Sequence, residues 1–194
     1  MKLFFQAAIL LALPTILPAQ MDTLPYYQIP DYPETYSETT TVMRMIDGLG
    51  YRYYWATDSL TAADLAYEPG NEGQAARAVL NHLGGLSHMI NNVCQGQIHQ
   101  RRADFKDLEW PELRRITLHN LHDARTALSS YEGGLEDLAI QFSEDRSVPF
   151  WHMINGPIAD AIYHVGQIVS YRRTTGNPMY GGVSVFSGKT KVVE

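Results

Sequence analysis

Asp160, His164, Gln167 and Tyr171 follow one another at steps of four, three and four, the spacing that stacks side chains on one helix face. Ala161, Val165 and Ile168 flank that stripe, with Ile158 and Ile162 nearby, so the face is not simply the solvent-facing one. A carboxylate and an imidazole among apolar neighbours require a shared partner, because an unpaired charge is costly to desolvate. A divalent metal ion would supply one. At 100° per residue, His82 falls about 40° from Leu86 and about 20° from Met89 and Ala75, which turns it toward the interior side of its own helix. His82, Asp160 and His164 therefore make a candidate site of two imidazoles and one carboxylate, with positions left open for water or substrate. Such a site polarises a bound carbonyl or acidifies a bound water. The same residues also fit a plainer arrangement, an Asp160–His164 ion pair with His82 as a satisfied core histidine.

The remaining histidines are weaker candidates. His88 is turned about 240° from His82 on the same helix. His119 and His122 lie off the apolar stripe of Leu113, Ala124 and Leu128 and read as surface residues. His99 falls in a polar loop, and His152 reads as a rim residue two turns before Asp160.

Four amphipathic helices must position these groups. Val42, Met45, Ile46, Leu49, Tyr53, Ala56 and Leu60 recur at threes and fours and predict a first helix from about Thr39 to Leu60. A second runs from about Gln74 to Cys94, with Val79, Leu83, Leu86, Ile90 and Val93 on its buried face. Pro111 suits the first turn of a third helix, whose stripe of Leu113, Thr117, Leu121, Ala124 and Leu128 runs on to Tyr131 before Gly133-Gly134 stops it. The fourth is expected to begin with Ser147 as cap and Pro149 in its first turn, to kink near Met153 because of Pro157, and to end at Gly176. The expected fold is all-α: an antiparallel four-helix bundle over residues 39–178, with room for one crossover. One short strand is expected between Gly182 and Phe186, within a C-terminal tail of 179–194.

Residues 1–19 have the layout of a secretory signal: Lys2, an apolar run to Leu13, Pro14, and a small residue, Ala19, where a peptidase would cut. The run is shorter than the roughly 20 apolar residues that span a membrane, so no membrane span is expected once the signal is removed. The expected location is periplasmic or extracellular. Residues 20–38, with Pro25, Pro30 and Pro33 among four tyrosines, predict an extended arm whose tyrosines lie on the domain.

The 194 residues carry 15 Lys+Arg and 21 Asp+Glu, a net charge of −6, without a basic run, which argues against a nucleic-acid partner. The single cysteine, Cys94, excludes a disulfide framework and a thiolate-clustered zinc site. Its apolar helical surroundings mark it as a small buried hydrophobe. With 45% hydrophobic and 11% aromatic residues the chain builds one sizeable core.

The segment NGPIADAIYHVGQIVSYRRTTGNP, Asn155 to Pro178, resembles the last helix of the DinB/YfiT-like superfamily, and Tyr54 to Leu86 is similar to that family's first helix end, connecting loop and metal-binding second helix. The resemblance covers nearly the whole chain after the arm. It implies a metal held by one histidine of the second helix and two of the fourth, positions occupied here by His82, His164 and, in a departure, Asp160. Asp160 is a competent oxygen ligand, and the departure implies either an altered preference among zinc, nickel, iron and manganese or weaker binding. Gln167 suits an orienting role behind a ligand. Arg172 and Arg173 could neutralise an anionic substrate, or simply complement the helix C-terminus. The implied function is a metal-dependent hydrolase or transferase on a small molecule. Its alternative is a non-catalytic metal-binding or interaction protein of the cell envelope. Family members are often homodimers.

Overall fold

The computed structural model describes residues 23–101 and 104–191, so the expected signal at 1–19 lies outside the described residues. The chain is mostly helical. Helix α1 spans Glu38–Thr57, opened by a reciprocal cap in which Ser37 and Thr40 bond each other's backbone N–H. A short helix α2, Ala62–Leu65, follows. Helix α3 spans Ala76–Cys94 and α4 spans Trp110–Ser129 with Pro111 in its first turn. The last helical stretch comes in three pieces: α5, Trp151–Met153; a π turn, Ile154–Ile158; and α6, Ala159–Thr174. Gly176, at φ +82°, follows its end, as glycine does past a helix terminus.

The apolar stripes read from the sequence form the core. Ile46, Leu49, Leu80, Leu83, Ile90, Leu113, Leu121, Leu128, Ile158 and Ile168 are all buried in one cluster. Helix α1 packs on α4 and α6, and α3 packs on the same two. Directions follow from particular contacts. Arg114 reaches Tyr54 O while Arg125 approaches Asp47, so α1 and α4 are antiparallel. Tyr171 reaches Gln74 O while Asp160 meets His82, so α3 and α6 are antiparallel. Gly84 lies against Leu113, and Asn120 donates to Ser87, so α3 and α4 run the same way. The antiparallel expectation is corrected for this pair, and the crossover that the sequence left room for falls between α3 and α4. The connection 95–109 returns the chain along the roughly 28 Å length of α3 before α4 begins.

The all-α expectation is corrected as well, because the structure holds two small antiparallel sheets. Strands β1 (Ala139–Ser143) and β2 (Arg146–Pro149) form a hairpin with Ile140 opposite Val148 and a register irregularity between Gln141 and Ser143. Ser147 and Pro149 belong to that hairpin rather than to a helix start. A Ser-x-Pro run suits either context, since proline's missing N–H is harmless at a strand end as well as in a first helical turn. In the tail, β3 (Val183–Ser184) pairs with β4 (Lys189–Thr190), two strands where one was expected.

Arm and tail are fastened together against α1. Ile29 N–H donates to Gly188 O at 2.9 Å, the Tyr51 hydroxyl donates to Lys189 O at 2.9 Å, and the Trp55 indole donates to Tyr27 O at 3.1 Å. Tyr26 seats in a notch left by Gly50, where a Cβ would stand 2.5 Å from its ring. Only part of the tyrosine expectation holds: Tyr26 is buried, whereas Tyr32 and Tyr36 are exposed. Cys94 is buried, and burial pushes its thiol up to about 12, in keeping with an unreactive core residue.

Asp64 ties α2 to the end of α6. Burial alone would raise its carboxyl, but hydrogen bonds from Thr175, Asn177 and Thr61 outweigh burial and bring it down from 3.8 to about 2. The folded state therefore binds this proton more weakly than the unfolded chain does. The stabilisation is complete above the ordinary value of 3.8 and is lost as pH falls toward about 2. Urea midpoints taken between pH 6 and pH 2 should fall more steeply for the wild type than for Asp64→Asn, with the difference confined to that acid window.

Candidate metal centre

Pro157 has no N–H to offer the carbonyl four residues back, and the helix accommodates this with a wider turn. Gly156 leaves helical geometry altogether, at φ −93° and ψ −106°, and the Ala159 N–H donates to Ile154 O five residues back. The sequence places a kink here, and the structure specifies its form as a π turn. Regular helix resumes at Ala159, so Asp160 and His164 stand one turn apart in α6.

His82 comes from the facing α3. Its Nε2 lies 3.0 Å from Asp160 Oδ2, and His164 Nε2 lies 3.3 Å from Asp160 Oδ1. The two imidazole rings are nearly perpendicular with centroids 4.7 Å apart. One carboxylate thus divides its two oxygens between histidines of two helices. Side-chain exposure is 45% for His82, 41% for Asp160 and 11% for His164, so the cluster sits at the open edge of the α3–α6 seam. The sequence arithmetic turned His82 inward; the structure holds it at the boundary, since direction on a helical wheel carries no information about depth.

Gln167, on the next turn, places its Oε1 2.6 Å from His164 Nδ1. With the amide oxygen turned toward the ring, Nδ1 is the donor and Nε2 keeps its lone pair. In a neutral His164 that lone pair then faces the anionic Oδ1 at 3.3 Å, acceptor against acceptor. A cation resolves the conflict, either a second proton on the ring or a metal ion between the groups. The donor set fits the second choice. The three ligand atoms lie within 4.8 Å of one another, and those around a four-coordinate ion at ~2.1 Å stand about 3.4 Å apart, so the side chains would draw together to share one. Two imidazole nitrogens and a carboxylate oxygen suit zinc, nickel, iron or manganese, and the single thiol is elsewhere in the core.

The other residues flagged in the sequence lie outside this group. The Tyr171 hydroxyl donates to Gln74 O and its ring packs on Tyr67, so it fastens the loop before α3. Arg172 is buried, donating to Trp55 O, Ala56 O and Asn177 O. It closes the end of α1, which removes it as a group for an anionic substrate. His88 and His99 stack near each other at the far end of α3, with centroids 5.8 Å apart, and burial followed by the His88 charge lowers the His99 pKa. His122 and His152 are exposed. The sequence reading missed Tyr163, whose ring meets the edge of His164 at 5.2 Å on the exposed side of the site. Its position directly before His164 was the available signal.

No protein-family model and no curated protein matches this sequence.

Long-range proton–nitrogen spectra of the full chain should find His164 protonated at Nδ1, with Nε2 the nitrogen whose signal moves on addition of acid or zinc. A ring protonated at Nε2 with a bare Nδ1 would contradict the assigned hydrogen-bond order.

Proposed function

We propose that this chain is a metal-dependent enzyme, a hydrolase or transferase acting on a small molecule, with a divalent ion held by His82, Asp160 and His164. The observation that carries the reading is the convergence of His82, Asp160 and His164 from two helices, with ligand atoms within 4.8 Å of one another and Gln167 Oε1 against His164 Nδ1. The resemblance to the DinB/YfiT-like superfamily belongs to this proposal, as does the description of α1, α3, α4 and α6 as a four-helix bundle of that type. Support for the bundle comes from the contacts of α1 and α3 with both α4 and α6. Export to the periplasm or the exterior rests on the sequence of residues 1–19.

An ion bound here supplies Lewis acidity for a coordinated carbonyl or water. The protein's own residues do the rest. His82 and Asp160, each close to half exposed, leave the solvent side of the site open to a substrate. Gln167 fixes the ring plane and tautomer of His164 through Nδ1, which raises its quality as a ligand. Tyr163 stands beside His164 as an exposed aromatic wall. The same exposure favours a second reading, a binding protein that holds the ion without chemistry, since an open edge excludes little water.

Metal analysis separates these readings. The purified full chain dialysed against zinc, nickel or manganese is expected to retain about one equivalent. His82→Ala and His164→Ala should lose that uptake while melting within a few degrees of the wild type, because the site lies at an edge of the core. Gln167→Ala should retain uptake with affinity weakened roughly 10- to 100-fold. Equal and negligible metal in wild type and variants would dispose of the site. Variants that lose fold as steeply as metal would assign the ion a structural role.

A further inference from the structure

A cavity of about 340 Å³ opens on the face formed by α1, the end of β2 and the start of α5, and none of the three candidate ligands lines it. Its walls are Val42, Met45, Leu135, Phe150 and Ile154. Trp151 stands at the rim with 77% of its surface exposed, directly beside the buried Phe150. A tryptophan held in water next to an apolar hollow leaves a large area unburied. That area becomes useful once something occupies the hollow.

Among the described residues that line the cavity, charge has one sign. Glu38 and Glu136 are the charged residues among those lining it, and both are exposed. Arg44, the basic residue that lines the adjoining groove, is already engaged, donating to Pro30 O at 2.8 Å and lying 4.8 Å over the Tyr32 ring. Glu38 spends one oxygen on the Leu135 N–H at 3.4 Å and keeps the other. Apolar walls, an exposed indole face and two carboxylates call for a ligand with an apolar body and a cationic head. The indole attracts the cation through its ring quadrupole as the carboxylates do through charge. The volume, within the ordinary range for small-molecule sites, suits a body of one aromatic ring with a short chain.

We propose that this cavity binds small apolar amines, aryl-alkyl or quaternary ammonium compounds, with the hydrocarbon against Met45, Leu135 and Phe150 and the cation between Trp151, Glu38 and Glu136. The site is independent of the metal centre.

Calorimetric titration of the full chain with 4-phenylbutylamine, 4-phenylbutanol and 4-phenylbutyrate tests this, since the three probes share a body and differ in head charge. The amine should bind at least five-fold more tightly than the alcohol, and the butyrate least. Glu38→Gln combined with Glu136→Gln should bring the amine down to the alcohol's affinity and leave the alcohol's unchanged. Trp151→Ala should weaken the amine more than the alcohol, and His82→Ala should change neither. Equal affinity for the three heads, preference for the butyrate, absence of binding, or amine binding that survives the double glutamine variant would each overturn the proposal.

Discussion

Asp160 has two oxygens, and two histidines from different helices each approach one of them. That division constrains the whole seam between α3 and α6. His82 reaches the carboxylate only if α3 runs against α6 at this level, an alignment fastened one end away by the Tyr171 hydroxyl on Gln74 O. His164 faces the carboxylate through Nε2 because Gln167 has taken Nδ1. A carboxylate shared this way holds a proton or a cation more readily than it tolerates a bare lone pair opposite.

The π turn stands immediately upstream of this carboxylate and begins at Ile154, which lines the apolar cavity. Pro157 and the non-helical Gly156 break the helix between Ile154, which lines the cavity, and Asp160, which lies in the metal cluster. A regular helix through this segment would have fixed both faces on one rigid rod. Upstream of the break Phe150 is buried and Trp151 exposed, and downstream of it α6 packs on α3. Irregular helix is costly in backbone bonds, and here the wider turn recovers one through Ala159 N–H and Ile154 O.

The helices were legible because their stripes are made of residues that water rejects at a period only a helix satisfies: Val79, Leu83, Leu86, Ile90 and Val93 are buried as their spacing requires. The hairpin was not, because Ser147 and Pro149 carry a signal shared by helix starts and strand ends. The alternation of Ile140 and Phe142 with polar neighbours, followed by the Glu144-Asp145 turn, was the competing pattern. In the site, the i, i+4 spacing sufficed to put Asp160 beside His164. Depth did not follow from angle, so His82 proved to be a boundary residue. Arg172 was read by position alone; only tertiary contact reveals that its guanidinium caps the carbonyls of α1.

One divalent ion between His82, Asp160 and His164 would bring the two imidazoles and the carboxylate into a single shell. X-ray absorption at the zinc edge of the full chain loaded with one equivalent addresses it directly. Two imidazole scatterers and an oxygen shell at about 2.0–2.1 Å, without sulfur, are expected. A shell of oxygen alone, or one containing the thiol of Cys94, would contradict it.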